Sequence, residues 1–232
     1  MLIDIFRGSG AFGQKITMLL LIVLTTLISL TVHEVSHGYA AYRCGDPTAR
    51  NFGRLSLNPL KHLDPIGTLC MLLFGFGWAK PVPINTRYFR KPRRDTALTA
   101  LAGPLSNLII SFVACFFMML SEQLYYRVYF SGNSYALTVT YLLFQLFYLF
   151  HRLNLTLAVF NLIPVPPLDG SRIFLTFLPP KYYFGVMKYE RYISLAIMLL
   201  LFSGVLSGFL GWICNIVSNA FQWVWGLLPF LG

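Results

Sequence analysis

The sequence predicts an all-α, polytopic membrane protein, and three observations carry that prediction. Only 11% of its 232 residues are charged against 56% hydrophobic, and the mean hydropathy is +0.65. Soluble domains carry about 25% charged residues, so the bilayer is the natural solvent for this chain. Uncharged stretches recur from end to end without a linker, so one integral-membrane domain over 1–232 is expected. Proline and glycine interrupt the apolar pattern at Trp78–Asn85, Ser131–Ser134 and Asn161–Gly170, where turns and helix breaks belong.

Taken in order, the first stretch runs uncharged from Ile16 to Val32, with a helical pattern continuing to Ala41. Arg7 and Lys15 precede it as in a signal peptide, but no small-residue cleavage site follows promptly, so a retained span is expected. The uncharged run from Ile66 to Trp78 is too short to cross, since a spanning helix needs about 20 residues. With Gly67, Gly75 and Gly77 it reads as a short re-entrant or interfacial segment. In Trp78-Ala79-Lys80-Pro81-Val82-Pro83-Ile84-Asn85 the two prolines forbid a regular helix and favour extended backbone. Thr96 to Ser121 is a second span, and Ser131-Gly132-Asn133-Ser134 a turn. A third span, Tyr135 to Ile163, is interrupted by His151 and Arg152. After Arg191 no charge occurs up to Gly232, which leaves room for two spans or for one span and an interfacial helix. Gly204, Gly208 and Gly211 mark the expected break, and Trp223 and Trp225 read as interface anchors.

The net charge of +10 would suggest nucleic acid on a soluble protein. Here the basic residues cluster beside apolar spans, so nucleic acid is not expected and the charge reports orientation. Ten of the 18 Lys and Arg lie between Arg43 and Arg94, and four more between Arg172 and Arg191. Both segments are therefore expected in the cytosol, with the N-terminus outside. The end of the first span and the end of the third then reach the same side. Cys44, Cys70, Cys115 and Cys214 are widely spaced, without a CxxC pair, so neither a disulfide framework nor a cysteine zinc site is expected.

Two motifs carry chemistry. In His33-Glu34-Val35-Ser36-His37 the histidines are four apart, which places them on one helix face where both imidazoles can reach one ion. Glu34 beside them can serve as a general base. The competing reading is a polar helix end meeting water, but ionisable groups next to an apolar span usually face an interior or a water-filled cavity. The second motif, Asn161-Leu162-Ile163-Pro164-Val165-Pro166-Pro167-Leu168-Asp169-Gly170, breaks its helix at the prolines. Freed carbonyls at membrane depth are tolerated inside protein or beside water. Catalytic zinc commonly keeps three protein ligands and an open position, and Asp169 is the expected third ligand, against an ordinary capping role. His151 is its rival, about 12 residues before Pro164 and so roughly 18 Å away along a helix.

HEVSH, NLIPVPPLDG and the intervening GWAKPVPIN and AGPLSN together resemble the site-2 protease family of intramembrane zinc metalloproteases, over roughly Thr31 to Arg172. The resemblance implies a site-2 protease-like helix core and zinc ligation by His33, His37 and Asp169, with Glu34 as the general base. It implies one Zn2+ per chain. Many relatives carry a PDZ or CBS domain, and nothing here has the length or polarity for one, so a minimal member is expected. The implied substrate is a membrane protein with a transmembrane segment, cut in or near that segment. The extended Lys80–Asn85 stretch could pair with it as an added strand. A bacterial cell membrane, with the active site toward the cytosol, is the expected location, and self-association is left open.

Asn161 and Asn107 are weaker candidates, as substrate-binding or cavity-lining residues, against simple helix packing. His62 reads as a loop residue and Arg152 as snorkelling or paired. Two other classes remain: a membrane zinc transporter, which needs no base at Glu34, and a catalytically inactive membrane scaffold, which needs no complete ligand set.

Overall fold

The computed structural model describes residues 12–74 and 79–231. The described residues are helical, with no named strand: α1 is Phe12–Arg43, α2 Thr48–Asn51, α3 Pro65–Phe74, α4 Pro92–Tyr129, α5 Ser134–Asn161, α6 Asp169–Leu175, α7 Pro180–Met187, α8 Glu190–Phe202 and α9 Val205–Gly226. By length and composition α1, α4 and α5 are each able to cross a membrane, as the expected all-α membrane fold requires. The chain divides into two compact units, Met1–Gly103 and Pro104–Gly232.

In the first unit, α1 extends beyond the expected span at both ends. Three of its hydroxyls return to a carbonyl one turn back and so do not break it: Thr25 to Leu21 (2.8 Å), Ser29 to Thr25 (2.6 Å) and Ser36 to Val32 (2.7 Å). Gly45, at φ +112°, turns the chain after α1, a conformation that favours glycine. The expected short segment over 66–78 is met by α3; Gly75 to Trp78 lie outside the described residues, as does Arg7. Leu63 and Ala79 pair in an antiparallel bridge, and the Lys80 N–H donates to the His62 carbonyl at 2.8 Å. α4 opens on Pro92 at its first position, and Asp95 accepts the Lys91 N–H at 2.7 Å, satisfying a donor the helix leaves orphaned.

In the second unit, Gly132 (φ +72°) makes the expected turn, and the Asn133 side chain caps α5 by accepting the Ala136 N–H at 3.0 Å. α8 and α9 are bent by 80° at a break where Gly204 takes φ +75°. Gly208 and Gly211, also candidates for that break, lie inside α9. Buried polar groups join the helices of this unit. The Asn107 side chain donates to Asn154 Oδ1 (2.8 Å), and His151 bonds Ser111 and Ser218. Such bonds hold membrane helices together where no hydrophobic driving force does. Trp223 is exposed, as an interface anchor requires, whereas Trp225 turns inward and donates its Nε1–H to the Phe112 carbonyl at 2.9 Å. Cys115 and Cys214 are buried and free.

Candidate metal centre

His33 and His37 are both buried on one face of α1, and their Nε2 atoms stand 3.0 Å apart. His37 Nδ1 lies 2.7 Å from the Thr99 carbonyl. A carbonyl can only accept, so Nδ1 carries the proton and Nε2 of a neutral ring presents its lone pair toward His33. Two nitrogens each about 2.0–2.1 Å from one zinc, at a tetrahedral angle, stand about 3.3 Å apart. The pair therefore fits one zinc ion, with the Thr99 carbonyl fixing the tautomer of one ligand in the manner typical of metal-bound histidines.

Gly103 makes this arrangement possible. A Cβ there would fall 2.3 Å from His37 Nε2 and 2.7 Å from His33 Cε1, so no larger residue fits without moving both rings. Gly38 does the same for the extended stretch: its Cβ would meet Leu55 at 2.7 Å and Val82 at 3.0 Å. With no side chain there, Val82 packs onto α1, where its backbone N–H donates to Glu34 Oε2 at 2.8 Å. The Glu34 carboxylate, half-buried, thus lies between the histidine turn and the Lys80–Asn85 stretch.

The second unit holds the other candidates. Past α5 the chain unwinds through turns at Ile163, Val165 and Leu168, with Pro166-Pro167 in cis. Asp169 is the first residue of α6, with Leu168 in the cap position, so Asp169 does not cap the helix itself. A Cβ at Gly170 would strike the Leu162 and Ile163 carbonyl oxygens at 2.3 and 2.4 Å, so this glycine is what lets α6 fold back against the unwound stretch. Asn161 donates to the Leu157 carbonyl of its own helix at 3.0 Å, and Asn107 is fully buried against Asn154. His151 has both ring nitrogens engaged: Nδ1 with the Ser111 carbonyl at 3.1 Å and its Oγ at 3.0 Å, and Nε2 with Ser218 Oγ at 2.8 Å. It is a helix-packing histidine. His62 is buried rather than looped into solvent, its Nε2 donating to the Ser56 carbonyl at 2.8 Å. Arg152 is paired, to Asn215 Oδ1 at 3.0 Å.

Sequence reasoning missed Thr99, whose contribution is a backbone carbonyl that any residue could supply, and the Val82 N–H, for the same reason. Gly103 stands in AGPLSN, which carries the resemblance but assigns this glycine no role.

The model of peptidase family M50 matches residues 20–203. YwhC of Bacillus subtilis, which carries a zinc metalloprotease name, is 42% identical over 82% of this chain and 84% of its own length. Rip2 of Mycolicibacterium smegmatis, similarly named, is 30% identical over 65% of this chain and 54% of its own. The zinc metalloprotease MJ0392 of Methanocaldococcus jannaschii is 27% identical over 86% of this chain, which spans 47% of that relative. No solved structure matches. With its family model covering most of its length and three helices able to cross a membrane, the chain belongs to peptidase family M50, the site-2 protease family, and is an integral-membrane zinc metalloprotease.

Proposed function

We propose that this metalloprotease hydrolyses peptide bonds in or beside the membrane-spanning segments of other proteins, with His33, His37 and Asp169 holding the zinc and Glu34 acting as the general base. The observation that carries this reading is the position of Glu34. It neighbours a histidine pair whose Nε2 atoms are 3.0 Å apart, and its carboxylate reaches the extended stretch at Val82. Two imidazoles and a carboxylate are a common catalytic zinc set, which leaves one position open.

Bound zinc supplies Lewis acidity to the scissile carbonyl. The chain's own residues do the rest. Glu34 takes a proton from the attacking water and returns it to the leaving amine. Thr99 and Gly103 hold the histidine rings in place, the first by its carbonyl and the second by lacking a Cβ. A helical substrate hides its peptide bonds, so it must unwind, and the Lys80–Asn85 stretch offers it backbone groups with which to pair as an added strand. In this reading residues 1–232 work as one catalytic domain.

The basic segments Arg43–Arg94 and Arg172–Arg191 support a cytosolic side for both motifs, and the Bacillus relative supports a bacterial cell membrane. Cysteine accessibility labelling from each side should find both segments cytosolic; opposite faces would defeat the ligand set. The substrate class is tested by reconstituting the protein in vesicles with single-span proteins and mapping the products by mass spectrometry. Cuts within or next to the span are expected. Cuts confined to distant soluble regions would refute membrane-span cleavage.

A further inference from the structure

Asp46 is fully buried and lies just past α1, away from the histidine turn. A buried carboxylate is costly unless hydrogen bonds satisfy it. Its Oδ1 accepts the Thr48 N–H at 3.0 Å and the Thr48 hydroxyl, a local turn that starts α2. That turn needs only one oxygen. Oδ2 instead accepts the N–H of Asn85, 39 positions on, at 2.7 Å.

The Lys80–Asn85 stretch is therefore tied to the α1 region by two carboxylates, Glu34 at Val82 and Asp46 at Asn85. Its start is fixed by the Lys80 N–H on His62 and by Arg54 on the Lys80 carbonyl at 2.6 Å. Pro81 and Pro83 carry no N–H. Between the two tethers that leaves one donor, the Ile84 N–H. Neither it nor the Val82 and Ile84 carbonyls takes a hydrogen-bond partner among the described residues. These are the groups an incoming extended segment would meet.

We propose that Asp46 is a positioning residue for the substrate. By holding Asn85 it fixes the Val82–Ile84 groups in register with Glu34, without itself touching substrate or metal. This rests on the strand-pairing reading above. Without the Asp46 tether the stretch pivots about Val82, so a substrate segment still binds and is still cut, but more weakly and at more than one bond.

The test uses the full chain in vesicles with a designed single-span peptide whose helix is weakened by a central Asn-Pro. Asp46→Asn replaces an acceptor oxygen by an amide donor. It should raise KM about tenfold or more, the scale of one charge-assisted hydrogen bond. Cleavage should spread to neighbouring bonds, with kcat within about threefold and zinc content unchanged. Hydrogen exchange of the Asn85 amide should quicken. Thr48→Val loosens only the local turn and should leave KM within about twofold and a single cut. Ile84→Pro removes the donor between the tethers and should raise KM as well, which keeps the proposal open to refutation if Asp46→Asn does not fold. Wild-type KM and a single cut in Asp46→Asn, the same defect in Thr48→Val, or wild-type KM in Ile84→Pro would each overturn it. A wild-type protein that cuts no span at all would overturn the substrate reading and this role with it.

Discussion

The histidine turn of α1 and the histidine of α5 are alike in sequence setting and opposite in what they can do. His33, His37 and His151 are all buried on helices able to cross a membrane. His151 has the hydroxyl and the carbonyl of Ser111 at Nδ1 and the Ser218 hydroxyl at Nε2. The Ser111 carbonyl, 3.1 Å from Nδ1, can only accept, so the proton sits there and the Nε2 lone pair is taken up by the Ser218 hydroxyl. His37 has a carbonyl on Nδ1, which fixes the proton and turns the basic nitrogen toward His33. Burial of a histidine in a membrane helix, or a carbonyl on its Nδ1, therefore does not mark a candidate ligand; what faces Nε2 does, a second imidazole at His37 and a hydroxyl donor at His151.

The largest effect expected from this contrast is on zinc content. Purified protein should hold about one zinc, since the proposed ligands make up a single site. His33→Ala, His37→Ala and Asp169→Ala should each bring occupancy close to zero by elemental analysis, while His151→Ala leaves it intact. Retention of zinc in Asp169→Ala together with its loss in His151→Ala would reverse the assignment of the third ligand.

Gly103→Ala comes next. Its Cβ would sit 2.3 Å from His37 Nε2, so the rings must part and zinc affinity should fall at least tenfold. Gly208→Ala, where nothing lies within 4 Å, should leave zinc affinity unchanged. Equal zinc affinity in the two variants would show that the histidine turn is not confined as described.

The smallest effect belongs to the His151 cluster. Ser218→Ala removes one interhelical hydrogen bond, worth about 0.6 kcal/mol and at most about 1.7 in a membrane protein. A loss of that order in unfolding free energy, with zinc unchanged, is expected. A zinc-depleted Ser218→Ala protein would mean the two regions are not distinct in function.

Much of the proposed site was legible because it is local. Spacing of four puts His33 and His37 on one face whatever surrounds them, and three prolines before Asp169 must break a helix. The three spans follow from charge-free length, although α4 runs from Pro92 to Tyr129, beyond the expected 96–121, because polar flanks continue a helix as readily as apolar ones. The break after α8 was legible to within a few residues, since several glycines compete and only Gly204 takes a positive φ. What could not be read is long-range pairing. Ser111 and Ser218 lie 40 and 67 positions from His151, and no periodicity announces that they meet it. The role expected of Trp225 failed for the same reason: its partner, the Phe112 carbonyl, lies 113 positions away. The tie between Glu34 and Val82 uses a backbone N–H, which leaves no mark on the residue type.

The proposed hydrolysis depends on Glu34 being a base rather than a ligand, and one paired measurement addresses that directly. Glu34→Gln keeps the size of the side chain and both histidines but cannot take up a proton. Zinc content and product formation should be measured in the same preparation. The expected result is wild-type zinc with cleavage reduced by at least about 10²–10⁴-fold, the scale of general-base loss. A variant that loses zinc as a histidine mutant does would make Glu34 a ligand, and one that keeps zinc and cleaves at the wild-type rate would contradict the hydrolytic mechanism.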